Sequence, residues 1–378
     1  MIEPETKSAS TFRGAHQGNR GGERDPGVQP QNVPELLEFL GDPRNHPDRP
    51  RRVVVLETHF AWVFLTGRFA WKMKKAMRQD RMDYRTLADR ERGCREEVRL
   101  NRRLAPSVYL GVVALSRGRN GRIAWGRRGT IIEWVIRMRQ LPAERMLDRV
   151  LACRALRDQD LDAVARMLAR FYRRRAARLP FQGRDYLKRL RDRTTENARE
   201  LRAPDLELDR RRVDAVIEAQ RRVLQRAGPL LAARGARVVE GHGDLRPEHV
   251  SLGPPACAID CLEFDRDLRT FDPAEELAFL ALECARLGAP ETGEALLRRC
   301  CAALDDPVHP AVLRFYMGQR ALVRAKIAAW HLRDPQFTDR RTWIARAHSY
   351  LDDALRDSLV ALELVGRNVH TGRMQARK

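Results

Sequence analysis

The residues best suited to chemistry lie in one stretch, Gly241-His242-Gly243-Asp244-Leu245-Arg246-Pro247-Glu248-His249-Val250, and in Asp260, which follows in Ile259-Asp260-Cys261-Leu262-Glu263-Phe264. Two acidic loops beside short apolar runs match what phosphoryl transfer requires. One Asp receives or orients the acceptor hydroxyl, a residue five positions later binds metal, and an Asp at the end of the next strand holds the Mg2+ that bridges the phosphates. Asp244 and Asp260 fit the two Asp positions. Taken singly, Gly-Asp is a turn and Ile-Asp a strand end. Their order behind a β-rich segment is what points to chemistry.

A second constellation is Phe69-Ala70-Trp71-Lys72, where small Ala70 shares a strand face with Lys72 and leaves room for a planar base. An ammonium there could neutralise phosphate oxygens if a carboxylate on a neighbouring helix fixes it. Glu97 is the best candidate and Glu96 the alternative. The bland reading is a solvated lysine cluster on an edge strand. Composition argues against it: of 72 basic residues only seven are lysine, and three of those are Lys72, Lys74 and Lys75.

The 378 residues allow two or three domains at roughly 100–200 residues each. With 43% apolar and 33% charged residues, general disorder is excluded for the bulk of the chain. The net charge of +21 would attract polyanions, and clusters such as Arg173-Arg174-Arg175 and Arg210-Arg211-Arg212 could serve nucleic acid. Solvation of helix faces accounts for them equally, so nucleic acid is not the expected partner. Cys94, Cys153, Cys257, Cys261, Cys284, Cys300 and Cys301 form no metal-site spacing and read as reduced thiols. No P-loop motif occurs. The start MIEPETKSAS lacks a signal-peptide pattern and no apolar run is long enough to span a bilayer, so the expected location is the cytoplasm, with no membrane partner.

Residues 1–32, rich in Gly, Pro and charge, read as a disordered tail. A short helix over 33–40 precedes strands at 52–56, 62–65 and 69–73, the last two joined by a Thr66-Gly67-Arg68 turn. A charged helix over 86–104 follows, then strands at 108–115, 123–125 and 130–138, with Asn120-Gly121 as a hairpin turn. Beyond Pro142 the periodicity is helical, over 143–151, 158–178, 185–201, 208–234, 273–288, 290–304, 309–332 and 339–365. Short strands interrupt it within 237–264.

On these motifs the chain resembles the aminoglycoside phosphotransferase-like branch of the protein-kinase-like superfamily, in particular bacterial proteins whose kinase-like domain is sometimes fused to a P-loop domain. The resemblance covers about residues 33–335. Besides the two Asp loops it runs through Leu56-Glu57-Thr58-His59-Phe60-Ala61-Trp62-Val63-Phe64-Leu65-Thr66-Gly67, Glu96-Glu97-Val98-Arg99-Leu100-Asn101, Glu133-Trp134-Val135-Ile136-Arg137-Met138 and Phe315-Tyr316-Met317-Gly318-Gln319-Arg320.

The resemblance implies an α+β, two-lobed protein-kinase-like fold. A nucleotide-binding antiparallel β lobe with one helix would span 33–135, and a larger, mainly helical lobe with the catalytic loops 136–378. It implies an ATP- and Mg2+-dependent phosphotransferase acting on a hydroxyl of a small molecule. Lys72 would meet the α/β-phosphates with Glu97 as partner, Asp244 would be the catalytic base and Asp260 the metal ligand. The turn at Thr58 would cover the phosphates, and the backbone from Glu133 to Val135 would meet adenine. Asp272 would cap the next helix and Glu276 brace the catalytic loop. The sequence departs from the family at His249, where the family has a metal-binding Asn. Imidazole is a poorer Mg2+ ligand than a carboxamide oxygen. One Mg2+ on Asp260, a different metal, and a nucleotide-binding pseudokinase that transfers nothing all remain open, as does a plain hydrogen-bonding role for His249.

Overall fold

The computed structural model describes residues 7–8, 33–79, 81–174, 181–333 and 337–375. The chain divides into two compact units, Met1–Arg145 with Ala258–Asp267, and Met146–Cys257 with Leu268–Lys378.

The first unit is built on an antiparallel sheet. Its strands are β1 (Lys7–Ser8), β2 (Val54–Glu57), β3 (Ala61–Leu65), β4 (Phe69–Lys74), β7 (Tyr109–Arg117), β8 (Ile123–Trp125) and β9 (Thr130–Arg139), in spatial order β1-β2-β3-β4-β9-β7-β8. A two-residue ribbon of β5 (Arg78–Gln79) and β6 (Met82–Asp83) follows β4. Of the tail expected over 1–32, only Lys7 and Ser8 are described, paired with Leu56 and Glu57; the rest lies outside the described residues. The tight turns form where left-handed backbone is tolerated, at Gly67 (φ +87°) and Gly121 (φ +76°).

Alternation along β4 sorts its side chains onto two faces. Phe69, Trp71 and Met73 enter a core with Leu36 and Leu40 of α1 (Val33–Gly41), Phe64, Leu115 and Val135. Ala70, Lys72 and Lys74 take the other face. Helix α2 (Leu87–Asn101), capped by the Thr86 hydroxyl on the Asp89 N–H, lies against β7 and β9. Its buried stripe of Arg90, Cys94, Glu97, Val98 and Asn101 places Glu97 fully out of solvent.

The division after Arg145, not after 135, has a simple cause. Strand β9 continues to Arg139 and pairs with β4 along that length, Phe69 opposite Arg139. The later segment 258–267 joins this unit through backbone bonds from Asp260 to the Tyr109 hydroxyl (3.1 Å) and from Cys261 to Asn101 (2.9 Å).

The second unit comprises α3 (Leu147–Ala152), α4 (Asp158–Arg173), α5 (Gly183–Leu201), α6 (Arg210–Arg226), α7 (Gly228–Ala233), α8 (Pro273–Arg286), α9 (Pro290–Leu304), α10 (Pro310–Trp330) and α11 (Arg340–Gln375). Short strands β10 (Val239–Glu240), β11 (Val250–Ser251), β12 (Cys257–Ala258) and β13 (Thr270–Phe271) fall between α7 and α8, with β12 at the division between units. The helix expected over 208–234 breaks where Pro229 opens α7. The part of the 158–178 helix beyond 174 lies outside the described residues. Val216, Ile217, Phe279, Leu282, Leu322, Tyr350 and Leu351 share one core, which makes α11 integral to this unit. All the cysteines are free thiols. Among the described residues no helix is long and apolar enough to cross a membrane.

Helix α8 is buried nearly all round, so its carboxylates need partners. Asp272 caps it, accepting from the Ala274 N–H at 3.0 Å, and also binds Arg234. Glu275 accepts Arg193 at 2.6 Å and lies 2.9 Å from Arg320. Burial pushes the Glu275 carboxyl up, but the two guanidiniums outweigh it and hold it at about 2. Unfolded, it titrates near the ordinary Glu value of about 4.3. Its stabilisation is therefore present above pH of about 4 and is lost as pH falls towards 2. Melting temperature should fall across that window, and Glu275→Gln should flatten the fall; an unchanged acid limb in the variant would contradict this assignment.

Candidate functional site

In the first unit, Lys72 leaves β4 towards α2. Its ammonium donates to Glu97 at 2.9 Å and to Asp260 at 2.6 Å. Burial penalises this charge, yet Asp260 and Glu97 raise its pKa well above the ordinary lysine value. The lysine is therefore a permanent cation. Asp260 has left-handed backbone (φ +61°), which Asp tolerates better than most residues. Its side chain is 45% exposed, against 15% for Lys72 and 0% for Glu97. Glu97 makes the lysine contact; Glu96 instead pairs with Arg99 on the outer face of α2.

Thr58 is spent on its own turn. Its hydroxyl donates to the Ala61 carbonyl at 2.9 Å and accepts the Ala61 N–H at 3.0 Å, closing the β2–β3 connection. Glu133 and Val135 do not form a hinge. Both lie inside β9, Val135 opposite Met73 on one side and Val113 on the other, so backbone that was expected to meet adenine is engaged in the sheet. The Glu133 side chain is buried and bound through both oxygens by Arg90 Nε at 2.9 Å. Backbone bonding persists through Gln140, whose N–H reaches Arg68.

In the second unit, the loop after β10 hangs on Glu276. Its carboxylate accepts the N–H of His242 (3.0 Å), the N–H of Gly243 (2.6 Å) and the Tyr172 hydroxyl (2.7 Å). Gly241 passes so close that a Cβ would lie 2.6 Å from the Phe271 ring and 2.8 Å from Glu276, hence glycine. Beyond Gly243 (φ +96°) the chain presents Asp244, 27% exposed at its side chain. Arg246 Nε donates to Asp244 at 3.1 Å and its Nη1 pairs with Glu248 at 2.6 Å. Burial raises the Asp244 carboxyl, but Arg246, His249, Arg324 and His242 together lower it to about 2.

His249 Nδ1 lies 2.7 Å from the Asp244 carbonyl and 3.6 Å from its carboxylate. A carbonyl only accepts, so Nδ1 carries the proton and ties the loop across its five residues. Among the described residues no group of three or more His, Cys, Asp or Glu side chains is arranged to hold a metal ion. Magnesium needs no such cage, since it commonly binds one or two carboxylates together with substrate phosphates. The exposed Asp260 oxygens fit that donor chemistry, whereas the engaged Nδ1 of His249 does not.

Lys74, Glu263, Tyr84 and Arg246 escaped the sequence reading. The signals for Lys74 were its two-residue spacing from Lys72 and its place among the clustered lysines, and nothing in the sequence links it to Glu263.

No model of a known protein family matches the chain. An uncharacterized protein of Mycobacterium tuberculosis is 31% identical over 333 residues, 84% of this chain and 63% of the relative, and a protein of Mycobacterium bovis matches equally. The chain thus spans less than two thirds of the curated relatives it matches. Among solved structures, the GDP complex of aminoglycoside 2'-phosphotransferase-IIIa superposes with a TM-score of 0.53 at 16% identity, over 86% of this chain and 99% of that one. A choline/ethanolamine kinase family protein from Mesorhizobium loti gives 0.50 at 15% identity, over 87% and 98%. The chain thus shares its fold with these two structures.

Proposed function

We propose that this chain, with the two-lobed fold of the aminoglycoside phosphotransferase-like proteins, is an ATP-dependent phosphotransferase acting on a hydroxyl of a small molecule. The observation that carries this reading is Lys72, a largely buried ammonium held by the fully buried Glu97 and the half-exposed Asp260 at 2.9 and 2.6 Å. An ammonium fixed in this way beside a carboxylate open to solvent suits a polyphosphate. Lys72 would neutralise phosphate oxygens, with Glu97 fixing its direction. Asp260 would hold magnesium, which when bound supplies positive charge to the phosphates.

Asp244 is ionised at any physiological pH, so it acts first as an acceptor that orients the substrate hydroxyl. It takes the proton late, as the bond to phosphorus forms. Such a loose transition state asks little of a base and much of positioning. Production of ADP from ATP and magnesium across a panel of hydroxyl compounds, absent with Lys72→Met, tests this reading.

His249 favours a second reading, a nucleotide-binding protein without transfer, because imidazole stands where the family has its metal-binding Asn. His249→Asn separates the two. We expect it to lower turnover about tenfold, on the order of the hydrogen bond to the Asp244 carbonyl that it removes. A gain in ADP production would instead support the second reading.

A further inference from the structure

Lys74 has no part in the mechanism above, yet it is more deeply buried than Lys72, with 3% of its side chain exposed. The two lysines stand two residues apart on β4, so both ammoniums leave on one face. Glu97 divides its oxygens between them, Oε1 to Lys72 at 2.9 Å and Oε2 to Lys74 at 2.6 Å. Lys74 also donates to Glu263, which accepts the Tyr84 hydroxyl at 2.6 Å, and its Nζ lies 4.7 Å from the centre of the Tyr84 ring. Asp260, Lys72, Glu97, Lys74 and Glu263 thus alternate in sign, and only the Asp260 end is substantially exposed.

We infer that Lys74 is a positioning residue for Lys72: clamped by Glu263 and Tyr84, it keeps Glu97 paired and in place while Lys72 turns to a nucleotide phosphate. This rests on the nucleotide reading of Lys72. With one lysine, drawing the ammonium towards phosphate would weaken the pairing of a fully buried carboxylate, a costly state. With two, Glu97 retains a counter-ion throughout. A compact ammonium with three donors can reach Glu97 and Glu263 while facing the Tyr84 ring, whereas a planar guanidinium prefers a bidentate fork. That explains lysine at this position in a chain whose cations are mostly arginine.

The test is Mg·ATP affinity of the full chain by calorimetric titration. The variants are Lys72→Met, Glu97→Gln, the charge-balanced pair Lys74→Met with Glu263→Gln, and that pair combined with Glu97→Gln. The pair should weaken binding about tenfold, and add nothing once Glu97 is already Gln, because residues acting through one another are not additive. A merely structural role would lower the melting temperature in both backgrounds and leave affinity alone. Should the pair not fold, Tyr84→Phe removes one hydroxyl from the clamp and should weaken binding roughly threefold. Unchanged affinity in the pair, or in Tyr84→Phe, overturns the inference when Lys72→Met has lost binding. Unchanged affinity in Lys72→Met overturns the nucleotide reading, and this inference with it.

Discussion

Asp244→Ala should lower turnover about a thousandfold, near 4 kcal/mol of transition-state stabilisation, while ATP affinity changes less than about twofold. The separation follows from where Asp244 stands. It belongs to the loop held by Glu276, in the second unit, whereas Lys72, Glu97 and Asp260 belong to the first. Loss of the carboxylate releases Arg246, but Arg246 still has Glu248 at 2.6 Å, so no buried charge is stranded and the loop should keep its shape. Asp244→Asn, which retains size and can still accept a hydrogen bond, should recover part of the loss. Turnover of the alanine variant within a few-fold of the parent would remove Asp244 from the reaction.

Asp260→Asn should abolish the dependence of ATP binding on magnesium. Lys72 keeps Glu97, so the variant should fold and should still bind ATP weakly in a chelator. The parent should gain affinity when magnesium is added, read as a thermal shift; ligand at about 100 times its Kd contributes roughly 2.7 kcal/mol. The variant should show the same small shift with and without the metal. Undiminished magnesium dependence would place the metal elsewhere and sink the assignment of Asp260.

The loops that carry Asp244 and Asp260 stood out in the sequence because a loop motif carries its own spacing, and the strands were legible because side chains alternate. The limits of that reading are equally physical. The hinge at Glu133–Val135 came with the resemblance, although alternation already ran the strand to 138, and the strand in fact continues to Arg139. In the fold the Arg137 guanidinium lies 4.1 Å from the Phe69 ring centre, a cation–π contact that lets a charged residue continue the sheet. The single helix expected over 208–234 overlooked Pro229, which starts a new helix more readily than it continues one. Glu276 and Asp272 take the bracing and capping places expected of them. The partners of Lys74 were invisible because Tyr84 is local but Glu263 lies far along the chain, and periodicity has no reach across such a distance.

The membership of Ala258–Asp267 in the first unit, after the whole of Met146–Cys257 has intervened, bears on how such a protein can be inherited. A gene fragment ending near Arg145 would encode Lys72, Lys74 and Glu97 but neither Asp260 nor Glu263. Two interior cations would then share one anion, a half-built ledger of charge that burial penalises. The first unit can therefore not be transplanted, duplicated or produced by a single cut, whereas the second is continuous apart from the inserted Ala258–Asp267.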